Sequence, residues 1–347
     1  MNRMIASLIV SLVVVFFAAP RVIPFLRKLH FGQTIYELAP ETHKKKQGIP
    51  TMGGLMIVVA VILCCLVFHT RNWYGFQDYM LAILVCSVLF MLVGFVDDFS
   101  KVSKKQNEGL NPKQKLIGQT AAALLWSLYC YYHPMVGSKI LIPFANVQWD
   151  MGIWYVPVMT LVCVFIVNSS NLQDGLDGLL PSISSVSFAF WGMISLVMLS
   201  LVQQYDQYPQ LRDSYYCLGV FCMAVCGGSM AFLRYNFYPA QVFLGDTGSM
   251  FIGGATVGMA MLTREPLMLI LIAFTMIMSS VSVIMQRTYF KLTHGKRIFK
   301  MSPIHHHFEL CGFSEAQIDV GYCVVTALLS LIAVLSLNGL QWFPLIP

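Results

Sequence analysis

Four polar loops in an otherwise apolar chain carry groups suited to phosphate and metal chemistry. Asp97 and Asp98 stand side by side where the apolar run LFMLVGFVDDFSK ends. A carboxylate pair at the mouth of a membrane segment costs several kcal/mol to bury uncompensated, so it calls for a partner, and a divalent cation is the plainest one. The plainer structural reading is a solvated helix end with Asp97 paired to Lys101 at i,i+4, which leaves Asp98 without an account. In NSSNLQDGLDG (168–178), Asn168, Asn171, Asp174 and Asp177 recur every third residue. On a helix that spacing makes a slowly drifting polar stripe, suited to a ribose, a base or a metal-bound phosphate. A polar cap on a frayed helix end is the competing reading, and Gly175 and Gly178 allow a ligand close to the backbone. In VFLGDTGS (242–249), Gly245 and Gly248 bracket Asp246 and Thr247 just before an apolar run from Ser249. That order aims backbone N–H groups and an acid at one place, which suits phosphate with a bound cation; a simple N-cap by Asp246 or Ser249 is the alternative. HHHFE (305–309) is weakest alone, because three consecutive histidines cannot share one face of a helix.

The elements that must position these loops follow from composition. Of 347 residues, 57% are hydrophobic and 11% charged, with mean hydropathy +0.69. A soluble globule carries roughly a quarter charged residues, so this class is excluded and an all-α polytopic membrane protein is predicted. Segments near the ~20 residues that cross a bilayer fall at 4–26, 53–69, 79–96, 115–133, 152–168, 179–202, 214–233, 249–262, 267–287 and 320–340. That predicts ten transmembrane helices, the eighth and ninth forming a hairpin across TREP (263–266). The loops at 27–51, 97–115, 168–178, 234–248 and 287–319 hold sixteen Lys and Arg, the alternate set only five. By the positive-inside rule the richer set is cytoplasmic and both termini lie outside. The N-terminal apolar run has its cations after it rather than before it, the reverse of a cleavable signal. All four polar loops then converge on one cytoplasm-facing active site. No extramembrane segment much exceeds roughly thirty residues, so residues 1–347 form a single domain. The ten cysteines lie almost entirely inside spans without metal-ligand spacing and read as small apolar packers. No Walker A or dinucleotide fingerprint is present, so ATP-driven transport has no support. Basic runs such as Lys44 to Lys46 suit topology and anionic headgroups.

HKKKQGIPTMGG (43–54), VDDFSK (96–101), NLQDGLDG (171–178), NFYPAQVFLGDTGS (236–249) and SPIHHHFE (302–309), in that order, resemble the signature loops of the phospho-N-acetylmuramoyl-pentapeptide transferases, the MraY branch of the polyprenyl-phosphate N-acetylhexosamine-1-phosphate transferases. The resemblance spans the whole chain, and HHHFE separates this branch from the GlcNAc-1-phosphate enzymes. Gln173 and Ile49 depart from it, each standing where Thr is common. It implies transfer of phospho-MurNAc-pentapeptide from UDP-MurNAc-pentapeptide to undecaprenyl phosphate, giving lipid I and UMP, with Mg2+. It also implies a homodimer in the lipid bilayer of a bacterial inner membrane, with no nucleic acid among the partners. Carried over by motif, Asp97, Asp98, Asp246 and His305 form the catalytic cluster, with Asp246 and Asp98 as metal ligands. Gly175, Leu176, Asp177, Asn236 and Phe243 form the uridine pocket. Lys46, Thr51, Lys101, Lys115, Asn168, Asn171, Asp174, His306 and His307 line the rest of the cleft, with Lys113 an alternative to Lys115.

The chemistry agrees with that implication. A phosphate monoester has its second pKa near ~6 and is mostly the dianion at neutral pH, so deprotonating it is a small part of the barrier. Bringing it against a pyrophosphate of the same sign is the larger part. Charge neutralisation by a metal with Lys101 and Lys115 therefore ranks above general-base catalysis by Asp97; an Asp nucleophile in a two-step route stays open. The rivals are a GlcNAc-1-phosphate transferase, which takes a different UDP-sugar, and an ion-coupled transporter. Transporters place ionisable groups near the midplane, whereas these acids stand at span ends.

Overall fold

The computed structural model describes residues 2–28, 46, 48–70, 72–104, 109–145, 147–203 and 209–337. The helices are α1 (Asn2–Lys28), α2 (Gly54–Phe68), α3 (Tyr79–Lys104), α4 (Pro112–Tyr132), α5 (Tyr155–Gln173), α6 (Leu179–Gln203), α7 (Pro209–Asn236), α8 (Gly245–Leu262), α9 (Leu269–Ile272), α10 (Phe274–Leu292), α11 (Ile304–Glu309) and α12 (Glu315–Leu335). An antiparallel hairpin of β1 (Lys139–Ile142) and β2 (Val147–Asp150) joins α4 to α5, with Ile140 opposite Trp149. Lys44, Lys45, Arg71 and Lys105, which enter the charge count, lie outside the described residues.

A helix stands at each of the ten expected segments. Among the described residues, six helices are long and apolar enough to cross a bilayer, and a bent pair makes a seventh if it is one span. The ninth expected segment is that pair. It is broken at Ala273, whose φ of −99° and ψ of 18° leave the helical region, and its two arms are bent by 83°.

α8 is less apolar than these helices and is nevertheless the core of the bundle. All of its residues except Asp246 are buried, packed between α3, α5 and α2. A helix that meets other helices rather than lipid needs small residues more than apolar ones. Gly94 of α3 lies where any Cβ would strike the Asp246 carbonyl, and Gly54 of α2 meets the backbone of Gly248. Those contacts draw the starts of α2 and α8 and the end of α3 together. On the far side, Ser7 and Ser11 of α1 donate to the carbonyls of Val220 (2.9 Å) and Ala224 (2.6 Å) of α7. At the opposite end of α8, the β-hairpin clamps the 263–266 turn, with Leu141 N donating to Arg264 O at 2.8 Å.

Candidate active site

The penultimate turn of α3 and the first turn of α8 bring together Asp97, Asp98 and Asp246, each offering an oxygen within 4.8 Å of the others. Two lysines hold them there. Lys101 Nζ stands 2.7 Å from Asp97 Oδ2, 3.0 Å from Asp246 Oδ2 and 3.7 Å from Asp98 Oδ1. Lys115 Nζ lies 2.8 Å from Asp246 Oδ2 and 3.8 Å from Asp97 Oδ2. Lys115 arrives because an Asn111–Gln114 capping box with Pro112 at the first position starts α4, and Leu110 N donates to Asp97 Oδ1 at 2.7 Å. Lys115 rather than the exposed Lys113 occupies the site. Burial acts to raise the pKa of Asp246, but the charge of Lys115, with that of Lys101, outweighs it and holds the carboxyl well below its usual range. Three carboxyl groups with closely spaced oxygens suit a hard divalent cation.

The asparagine and aspartate stripe does not stay on one helix face. α5 ends at Gln173, so only Asn168 and Asn171 are helical, and the four residues fan out. Asn171 Nδ2 donates to Asp246 Oδ1 at 2.8 Å, and its Oδ1 accepts from Lys115 at 3.1 Å. Asn168 instead donates to Gln119 Oε1 at 2.7 Å, which ties α5 to α4. Asp174 caps the helix; burial first, then the charges of Asp246 and Asp98, raise its pKa well above the usual value.

The GDTGS loop also departs from expectation. Its helix begins at Gly245, and the donors of Thr247, N at 2.9 Å and Oγ1 at 2.7 Å, go to Asp98 Oδ2. A carboxylate from another helix therefore caps α8, and that N–H is not offered to a phosphate.

The expected uridine residues gather next to this cluster. Asp177 Oδ1 accepts from Lys46 Nζ at 2.7 Å, and Asp177 Oδ2 from Ala240 N at 3.0 Å. Asn236 joins the loops by accepting from Gly178 N (3.1 Å) and donating to Val242 O (2.8 Å). Phe243 is pinned through its backbone, its N–H to Pro50 O at 2.8 Å and its carbonyl to Gly53 N at 2.9 Å. Leu176 is buried, and the buried Thr51 hydroxyl faces Gly245.

Lys46 does not stand open to a phosphate. Both oxygens of Glu315 lie 2.9 Å from its ammonium. Burial acts to lower the Lys46 pKa, and the bonds to Asp177 and Glu315 outweigh it, so the group stays protonated. Glu315, whose Oε2 also accepts from Asp177 N at 2.9 Å, is a functional candidate that the sequence reading missed. The available signal was the SEAQ tetrad, in which Ser314 and Gln317 form the capping box that opens α12.

The histidines separate. His305 is fully buried against Gly175, where any Cβ would meet its Nε2. His306 Nδ1 lies 3.1 Å from Glu309 Oε2, and His307 Nδ1 accepts from Lys300 N at 3.2 Å. Among the described residues, the group of ligand atoms within 4.8 Å of one another holds the three aspartates and no histidine. His305 borders the 174–178 turn, while the other two bond to neighbours in their own loop.

The glycosyl transferase family 4 profile matches residues 80–264, and phospho-N-acetylmuramoyl-pentapeptide-transferase signature 1 matches residues 46–58, the stretch that carries Lys46, Thr51 and Gly54. The chain is 40% identical over 345 residues to the phospho-N-acetylmuramoyl-pentapeptide-transferase of Clostridium novyi (strain NT), across 99% of this chain and 100% of that protein. It is 41% identical to that of Caldanaerobacter subterraneus subsp. tengcongensis, across 97% and 99%, and 38% identical to that of Clostridium perfringens (strain SM101 / Type A), across 96% and 97%. The chain is a polytopic membrane transferase that belongs to the phospho-N-acetylmuramoyl-pentapeptide transferase family.

Proposed function

We propose that the chain transfers phospho-MurNAc-pentapeptide from UDP-MurNAc-pentapeptide to undecaprenyl phosphate, yielding lipid I and UMP. The observation that carries this reading is the cluster of Asp97, Asp98 and Asp246 held by Lys101 and Lys115 beside the Asp174–Asp177 turn. Asp246 and Asp98 would hold Mg2+, and their charge and spacing suit it; when bound, the ion neutralises phosphate charge and aligns the reacting groups.

The chain's own residues supply the rest. Lys101 and Lys115 already touch the acids and are placed to shift toward the incoming phosphates, so charge is neutralised without a proton leaving either lysine. Asn171 fixes Asp246 from its other oxygen. Asp177 has lone pairs left after meeting Lys46 and Ala240, enough to accept a uracil N3–H, and Phe243 offers a face for stacking. His305, packed on Gly175, borders the diphosphate side of that pocket.

Ten spans with both termini outside, one domain over residues 1–347, an active site facing the cytoplasm and a homodimer in the inner membrane complete the reading. A helix at every expected segment supports the span count. The deciding experiment offers purified protein with undecaprenyl phosphate and Mg2+ either UDP-MurNAc-pentapeptide or UDP-GlcNAc, and measures lipid-linked product. Product is expected from the first donor alone, to be abolished by EDTA and restored by Mg2+. Product from UDP-GlcNAc alone would assign the chain to the GlcNAc-1-phosphate branch instead.

A further inference from the structure

Beyond its bend, α10 ends in QRTYFKL (286–292), which places Arg287 and Lys291 four residues apart on one helix face. The following loop returns so that Arg297 and Lys300 reach the same place. The four cations line one open groove of about 720 Å3, with Phe290 and Leu310 in its walls. Among the described residues, no carboxylate forms an ion pair with any of the four.

The groove has a fixed frame. Gln286 Oε1 accepts from Ile298 N and Phe299 N, both at 3.0 Å, and its Nε2 donates to Phe299 O at 3.0 Å. Lys300 Nζ donates to Leu310 O at 2.8 Å. Side-chain to backbone bonds thus hold both ends of the returning loop, and four like charges converge although each repels the others. The positive-inside rule places cations on one side of a membrane, but it does not require them to share a groove.

The surroundings narrow the ligand class. Exposed apolar side chains stand beside the cations, among them Ile284 (55% exposed), Leu292 (74%) and Ile298 (44%). A helix end that is cationic on one face and apolar beside it fits the boundary between headgroups and acyl chains. A water-soluble anion needs the charges and gains nothing from the apolar rim. The acceptor phosphate needs the carboxylate cluster, whose cations are Lys101 and Lys115 and include none of these four.

We propose that this groove binds the phosphate headgroup of an anionic phospholipid of the surrounding membrane, with Leu292 and Ile298 against the upper part of its acyl chains. The inference concerns a lipid that does not react, and it holds whichever phosphosugar the enzyme uses. The test titrates dioctanoyl phosphatidylglycerol into the purified full chain in neutral detergent and counts bound lipid by native mass spectrometry. Lys291→Gln/Arg297→Gln removes two of the cations and none of the hydrogen bonds that frame the groove. It should bind about thirtyfold more weakly, as expected for two lost surface cations. Lys291→Arg/Arg297→Lys keeps the charge and should bind as the parent does, and dioctanoyl phosphatidylcholine should bind poorly to all three. Unchanged phosphatidylglycerol affinity in the Gln variant would overturn the proposal. So would displacement of the lipid by an equal concentration of glycerol 3-phosphate, of undecaprenyl phosphate or of UDP-MurNAc-pentapeptide, each of which would reassign the groove to a soluble anion or to a substrate. The readout is bound mass rather than turnover, so its failure is separable from failure of the transferase reading.

Discussion

Lys101 stands four residues after Asp97, and the simplest account of such a spacing is an ion pair on a helix surface, worth only a few tenths of a kcal/mol. The pair forms, but the same ammonium reaches Asp246 on another helix at 3.0 Å, and Asp98 is taken by Thr247. Each carboxylate therefore has a different neighbourhood, and each is open to a separate test. Asp97→Asn, Asp98→Asn and Asp246→Asn keep an oxygen able to accept the bonds from Leu110, Thr247 and Asn171, so all three variants should insert and purify like the parent. Turnover should fall by about a hundredfold or more in each, since ligand charge and phosphate alignment are lost together. In Asp98→Asn and Asp246→Asn the Mg2+ concentration for half-maximal rate should also rise. Near-normal turnover of any one at saturating Mg2+ would remove that residue from the cluster's function.

At the scale of the element, the site depends on how closely α3 and α8 approach, and that approach rests on glycine. Gly94 leaves no room for a Cβ against the Asp246 carbonyl. Gly94→Leu should push the two helices apart, separating Asp246 from Asp97 and Asp98 although no acid is changed. The expected outcome is loss of Mg2+-dependent turnover with a lower melting temperature in detergent. Parent activity in that variant would show that the site tolerates a wider spacing. The sequence displayed the acids, the lysines and the helices that carry them, because motif loops and apolar runs are local features. It did not display the capping of α8 by Asp98, the pairing of Lys46 with Glu315 or the turning of Asn168 toward Gln119. Each of these joins residues dozens to hundreds of positions apart, which neither periodicity nor spacing encodes. The stripe reading failed for a local reason: the spacing of three assumed that the helix continued past Gln173, where it ends.

For the whole molecule, apolarity alone does not find every helix of the bundle. α8 is less apolar than the candidate spans yet has all but one of its residues buried, so the span count rests on which helices line the outside and which fill the middle. Sidedness then rests on charge, and the chain carries its own probe. Cys311 is exposed and follows the HHHFE turn, whereas the other nine cysteines are buried or half-buried. Trp149, 54% exposed, lies in the β-hairpin at the opposite end of α8 from Asp246. If the cation-rich loops face the cytoplasm, a membrane-impermeant maleimide added to intact spheroplasts should leave Cys311 unlabelled and should label Trp149→Cys in a Cys311→Ser background. Permeabilised cells should label both. The reverse pattern would invert the protein and place the carboxylate cluster on the side where nucleotide-sugar donors are absent, so the topology and the transferase reaction would have to be revised together.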